Sequence, residues 1–202
     1  MNVYDELYVR YPALQPCAPA IARAHELLTA AYRAGGKVLT CGNGGSASDA
    51  EHIVGELMKK FRSPRALPPD LAARLEGGLP AVSLVSMTSL LTAFANDVAW
   101  ETAFAQQVLA LARPGDVLMV LSTSGNSANC VRAAEVMRAV GGSVIAFTGA
   151  RHSALARLAD AAIAVPETET YRVQELHLPV YHALCAGVEA ALYPSDAGGG
   201  HG

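Results

Sequence analysis

Two sets of residues in this sequence have the types and spacing to do chemistry, one ionisable and one rich in glycine and hydroxyls. His52 and Glu56 lie four apart, which on a helix puts both side chains on one face. Gln174 and His182 lie eight apart, roughly 80° around a helix and so on broadly one side of it. A His/Glu/Gln/His set offers nitrogen and oxygen donors of the kind zinc accepts, with Gln an unusual member. Plain structural roles compete: a solvated i,i+4 His–Glu contact, and His177 or His182 as hydrogen-bonded core histidines. Spacing alone leaves both readings open. His25, His152 and His201 have no partner signal and read as structural or surface residues.

The second set is a pair of turns, Gly42-Asn43-Gly44-Gly45-Ser46 and Ser122-Thr123-Ser124-Gly125-Asn126-Ser127. Each follows a short apolar run and precedes a helical pattern. Glycines there let backbone approach a ligand, and a helix N-terminus offers unpaired N–H groups with a partial positive charge. The hydroxyls of Ser122, Thr123, Ser124 and Ser127 can donate to phosphate oxygens without adding charge. Either loop alone reads equally well as ordinary capping and turn chemistry. Both together, at the carboxyl ends of parallel strands, favour ligand binding. No Lys follows the glycines and neither loop is GxGxxG, so nucleotide binding is disfavoured. Asn96-Asp97 follows an apolar helix and suits either a cap for the next helix or hydrogen bonds to sugar hydroxyls.

The elements that must position these residues alternate. Helical patterns are expected at 17–34, 46–61, 88–95, 99–112, 127–140, 153–158 and 170–192. Strands are expected at 37–41, 81–84, 117–121, 143–147 and 161–165. Strands apolar on both faces and separated by helices imply an α/β fold, a three-layer α-β-α sandwich around a central parallel sheet. One domain is expected over 1–194, with a helical N-terminal segment at 1–34, a Pro- and Gly-bounded insertion at 62–78 and a disordered polar tail at 195–202. Pro179 removes one hydrogen bond from the last helix and is expected to kink it.

Composition narrows the function classes. Of 202 residues, 51% are hydrophobic and only 16% charged, which points to surface covered by further copies of the chain. A net charge of −3 gives no electrostatic footprint for nucleic acid or anionic membrane. No apolar run approaches the roughly 18 residues of a membrane span, and MNVYDELYVR lacks the pattern of a secretory signal. Cys17, Cys41, Cys130 and Cys185 form no CxxC pair and read as reduced thiols of a cytoplasmic protein.

The motifs Cys41 to Ser46, Asp49-Ala50-Glu51-His52 with Glu56-Leu57, Ala95-Asn96-Asp97, Ser122 to Asn129, and Arg172 to His177 with His182 closely resemble those of bacterial phosphoheptose isomerases, in the sugar isomerase (SIS) domain group. The resemblance runs in one order from about Ala20 to Leu192. It implies a homotetramer with active sites where subunits meet, and a sugar-phosphate substrate whose phosphate is held by Ser122, Thr123, Ser124 and Ser127. Asn43, Gly44, Gly45, Ser46, Asn96, Asp97 and Gln174 would face the sugar. It implies one zinc ion per site on His52, Glu56, Gln174 and His182, and Glu56 and His182 as the acid/base pair. Aldose–ketose isomerisation through an enediol needs one group to take a carbon-bound proton and another to move an oxygen-bound one. The insertion at 62–78 is longer than the connection associated with many members. Rival readings are a non-catalytic scaffold on the same fold, an isomerase of another sugar phosphate, and a sugar-phosphate-sensing regulator. The presence of Glu56 and His182 argues against the first, the absence of regulatory domains against the second, and that of a DNA-binding segment against the third.

Overall fold

The structure, a computed structural model, describes residues 2–63, 65 and 67–194. Five parallel strands form one sheet: β1 (Val38–Gly42), β2 (Ala81–Ser83), β3 (Val117–Leu121), β4 (Ser143–Thr148) and β5 (Ala161–Ala164), in the order β2-β1-β3-β4-β5. Every residue of β1 and β3 is buried, as expected for strands covered on both faces.

Alternate side chains along the strands feed two separate cores. On one face, Val38, Met119, Leu121, Ile145 and Phe147 pack against α1 (Val3–Arg10), α2 (Ala18–Arg33), α3 (Gly45–Met58) and α9 (Thr170–Leu192). On the other, Leu39, Cys41, Leu118, Val120, Val144 and Ala146 pack against α5 (Thr88–Asp97), α6 (Ala103–Leu111), α7 (Ala128–Ala139) and α8 (Ala154–Leu158). The two helices that carry His52, Glu56, Gln174 and His182 therefore share one face.

Three departures from the sequence expectations have local causes. The N-terminal segment holds α1 as well as α2, and α1 starts on a capping box in which Asn2 accepts from the amides of Tyr4 and Asp5. The pattern expected at 46–61 stops at Met58, because Lys59 is extended and Leu79 N–H takes the Leu57 carbonyl. Asn96 and Asp97 are the last residues of α5 itself and do not cap the element that follows. The segment after Met58 contains one short helical turn, α4 (Pro69–Ala72). α9 continues through Pro179 without interruption. The tail expected at 195–202 lies outside the described residues.

Candidate active site

Gly42 pairs with Leu121 across β1 and β3, so the two glycine- and serine-rich loops leave the sheet side by side at its carboxyl edge. The first leads into α3 on one face and the second into α7 on the other. Chains diverging in this way open a crevice, the usual ligand position in a doubly wound sheet.

The loops bond to each other and to themselves. Asn43 Nδ2 donates to Asn129 Oδ1 at 3.0 Å, and Asn129 Nδ2 donates back to Asn43 Oδ1 at 2.8 Å. Ser122 Oγ lies 3.0 Å from Ser127 Oγ, and Gly125 N–H closes a turn on the Ser122 carbonyl at 2.8 Å. Gly125 has φ +63°, and a Cβ there would fall 2.3 Å from Ser153 Oγ, so the turn requires glycine. Thr123 accepts Gly149 N–H through its carbonyl, and Ser124 takes the Asn126 amides. The N-cap residues Gly44 and Ser127 make no side-chain capping bond. Ser46 and Ala47 N–H turn back onto the Asn43 and Gly44 carbonyls, and Cys130 N–H goes to Asn129 Oδ1. The amides of Gly45, Ala128 and Asn129, without a partner among the described residues, are those available to an anion. The result is a neutral cradle of hydroxyls and amides.

The ionisable residues form a second cluster on α3 and α9. His52 Nε2 lies 3.1 Å from Glu56 Oε1 and 3.5 Å from His182 Nε2. Donor atoms of His52, Glu56 and His182 all fall within 4.8 Å of one another. Two imidazole nitrogens face to face are satisfied when one carries a proton and donates to the other, and equally when both are bare and a cation lies between them. With the Glu56 carboxylate alongside, two imidazole nitrogens and a carboxylate oxygen this close together are a donor set that fits a zinc-like ion. Burial, and then the neighbouring His52, lower the His182 pKa against the opposing effect of Glu56. Phe61 stacks at 5.6 Å on the His182 ring.

Of the two residues behind the cluster, sequence reasoning placed Asp49 in a family motif without a role and did not single out Tyr181. Tyr181 OH lies 3.0 Å from His52 Nδ1 and 3.1 Å from Asp49 Oδ1. Burial, then the Asp49 charge, push the Tyr181 phenol up; burial also raises Asp49, against the hydrogen bond from Tyr181. Asp49 precedes His52 by three residues and so shares its helix face, a local signal that could have been used. Asn129, which locks Asn43, ends the motif that starts at Ser122, but no spacing links it to Asn43, 86 residues away.

Gln174 is placed apart from these three. Its Nε2 lies 3.4 Å from Ser46 Oγ, and a Cβ on Gly45 would come within 2.9 Å of it. Two turns of α9, about 12 Å of rise, separate it from His182. Asn96 and Asp97 are exposed, and Asn96 Nδ2 donates to Asp97 Oδ1 at 2.8 Å. His177 is a core histidine: fully buried, with Nε2 3.3 Å from the Thr148 carbonyl and Nδ1 without a partner among the described residues.

Comparison with known proteins identifies the family. Residues 13–149 match the family model for the SIS domain. A phosphoheptose isomerase of Rhodospirillum rubrum is 48% identical over 179 residues, covering 89% of each chain. One from Shewanella sp. is 38% identical over 195 residues, covering 95% of this chain and 93% of that one. Among solved structures, the phosphoheptose isomerase of Neisseria gonorrhoeae superposes with TM-score 0.78 at 34% identity, over 93% of this chain and 95% of that one. That of Francisella tularensis gives 0.75 at 31% identity, over 93% and 98%. The chain therefore belongs to the phosphoheptose isomerases, SIS-domain enzymes that interconvert aldose and ketose sugar phosphates.

Proposed function

We propose that the chain converts sedoheptulose 7-phosphate to D-glycero-D-manno-heptose 7-phosphate. The observation that carries this reading is the pairing of an uncharged anion cradle with a carboxylate and an imidazole on the adjoining helices. Phosphate sits on Ser122, Thr123, Ser124 and Ser127 and on the first-turn amides of α7, while Asn43, Gly44, Gly45, Ser46, Asn96, Asp97 and Gln174 face the sugar. Held there, the ketose presents its C1–C2 end to the cluster. The Glu56 carboxylate removes a proton from C1 as the carbonyl electrons move to O2, giving the enediol. Glu56 then returns a proton to C2, and His182 carries the proton between O1 and O2.

Zinc, held by His52, Glu56 and His182, would supply Lewis-acid stabilisation of the charge that develops on oxygen. Gln174, which the family resemblance adds to the ligand set, would reach that ion across a subunit boundary, since on its own chain it lies two turns from His182. This fits a homotetramer with sites where subunits meet, a state supported by the exposed apolar side chains of Trp100, Leu109, Tyr171 and Leu178. Four buried, unpaired cysteines suit a reducing, cytoplasmic setting. Among the described residues no helix is long and apolar enough to cross a membrane.

The test is incubation with sedoheptulose 7-phosphate in deuterated water, followed by NMR for the aldose and for deuterium at C2. Turnover should require metal after chelation and fall about 10²–10⁴-fold in Glu56→Gln and His182→Asn. Turnover indifferent to chelation removes zinc from the reading, and near-normal turnover in Glu56→Gln removes the base.

A further inference from the structure

We infer that Tyr181 is a positioning residue whose hydroxyl, anchored on Asp49, holds the His52 imidazole as its Nδ1–H tautomer and so turns a bare Nε2 towards Glu56 and His182. The phenol has one proton and two neighbours, Asp49 Oδ1 at 3.1 Å and His52 Nδ1 at 3.0 Å. A carboxylate can only accept. The phenol proton therefore goes to Asp49, and the phenol oxygen is left to accept from His52 Nδ1–H. The reverse arrangement would set the Asp49 and Tyr181 lone pairs against each other at 3.1 Å, with nothing between them. Tyr181 is itself fixed: it is fully buried, and its ring meets His52 edge-on at 5.5 Å and His182 at 4.9 Å.

The consequence falls on Glu56. Its Oε1 lies 3.1 Å from His52 Nε2, within reach of a hydrogen bond should that nitrogen carry a proton. A proton there would occupy the carboxylate proposed as the base and block the nitrogen proposed as a ligand. By holding the proton on Nδ1, Tyr181 keeps both atoms free. Outer partners of this kind set the tautomer of ligating histidines and typically change metal affinity 10–100-fold when removed. The substitution Tyr181→Phe keeps the packed ring and deletes only the hydroxyl, which isolates this role from core packing.

The inference rests on the proposed role of the cluster, but its first readout does not. Histidine labelled with ¹⁵N in the metal-free protein, at a pH where the imidazoles are neutral, reports the tautomer of each ring through long-range proton–nitrogen correlations. His52, assigned by its loss in His52→Gln, should show the Nδ1–H pattern in the wild type and shift to Nε2–H in Tyr181→Phe. The same variant should bind zinc about 10–100-fold more weakly. Its kcat should fall at least tenfold with KM for the sugar phosphate within about twofold, since the cradle is untouched. A wild-type His52 found as Nε2–H overturns the inference without need of any variant. So does a Tyr181→Phe protein that keeps the Nδ1–H pattern, even if it is slow, because Tyr181 would then act through packing alone. Activity that survives Glu56→Gln while the tautomer follows Tyr181 would instead sink the proposed base and leave the positioning role standing.

Discussion

In the cradle at the ends of β1 and β3, polar side chains bond to their own loop, to the facing loop or to backbone next door. In the His52–Glu56–His182 cluster, the reactive side chains depend on partners far along the chain. Asp116 illustrates how backbone anchors the sheet: its carboxylate takes the amides of Lys37 at 2.9 Å and Arg113 at 2.8 Å, fixing the starts of β1 and β3 together. The cluster's counterpart is a side-chain clamp. Arg65 and Glu189 are both fully buried and pair at 3.0 Å. Glu189 also takes the amides of Phe61, Arg62 and Ser63, and Arg65 donates to the carbonyls of Glu56, Leu57 and Gly77. The guanidinium thereby caps α3 at the turn that bears Glu56 and ties it to the helix that bears His182. A binding surface can be assembled from topology, whereas a proton-transfer geometry shared by two helices needs a strut.

The strut gives the largest expected effect. Removing one member of a buried ion pair strands the other charge and costs about 3–5 kcal/mol. Arg65→Ala and Glu189→Ala should each lower the melting temperature by roughly 10 °C in a chain of this size. Variants melting within a degree or two of wild type would break the contrast, leaving α9 and α3 held by apolar packing alone.

This division also explains what the sequence shows and what it hides. Strands and loops were legible because their signals are local: apolar runs of four to six residues, then Gly, Ser and Asn before a helical period. His52 and Glu56 share a face by spacing alone. The end of α3 was not legible, because the residue that takes its carbonyls, Arg65, lies in a stretch without periodicity. The pairs Asn43–Asn129 and Asp49–Tyr181 are separated by 86 and 132 residues, beyond any window of pattern reasoning. Helix α1 could have been read, since Asn2 and Asp5 have the spacing of a capping box ahead of an amphipathic turn.

A second test addresses α9, the element common to both regions. His177 anchors it to the end of β4, and burial lowers the His177 pKa from its ordinary 6.5 to about 4 against the favourable bond to the Thr148 carbonyl. The sign follows from linkage. The unfolded chain takes up a proton below about pH 6.5 while the folded chain stays neutral, so stability is present above that pH and lost as pH falls towards 4. Between pH 7 and pH 5 this one group should remove about 2 kcal/mol. Denaturant unfolding of wild type and His177→Leu at the two pH values isolates it: the variant should lose less stability by about that amount. Equal losses would place the acid sensitivity elsewhere on the chain.

The smallest effect is the most discriminating. Asn129→Ala deletes the reciprocal amide pair that holds Asn43 and leaves every residue of the cluster in place. Two hydrogen bonds are lost, each worth about 1 kcal/mol net; with about half of that total felt by the bound ligand, the change is roughly fivefold in an equilibrium constant. If the cradle binds and the cluster reacts, KM for the sugar phosphate should rise about fivefold while kcat stays within about twofold. A fall in kcat at constant KM would mean that Asn43 reports to the proton-transfer geometry. The two regions would then be one device, with a displacement of Asn43 transmitted through the loop after β1 into α3, the helix that carries His52 and Glu56.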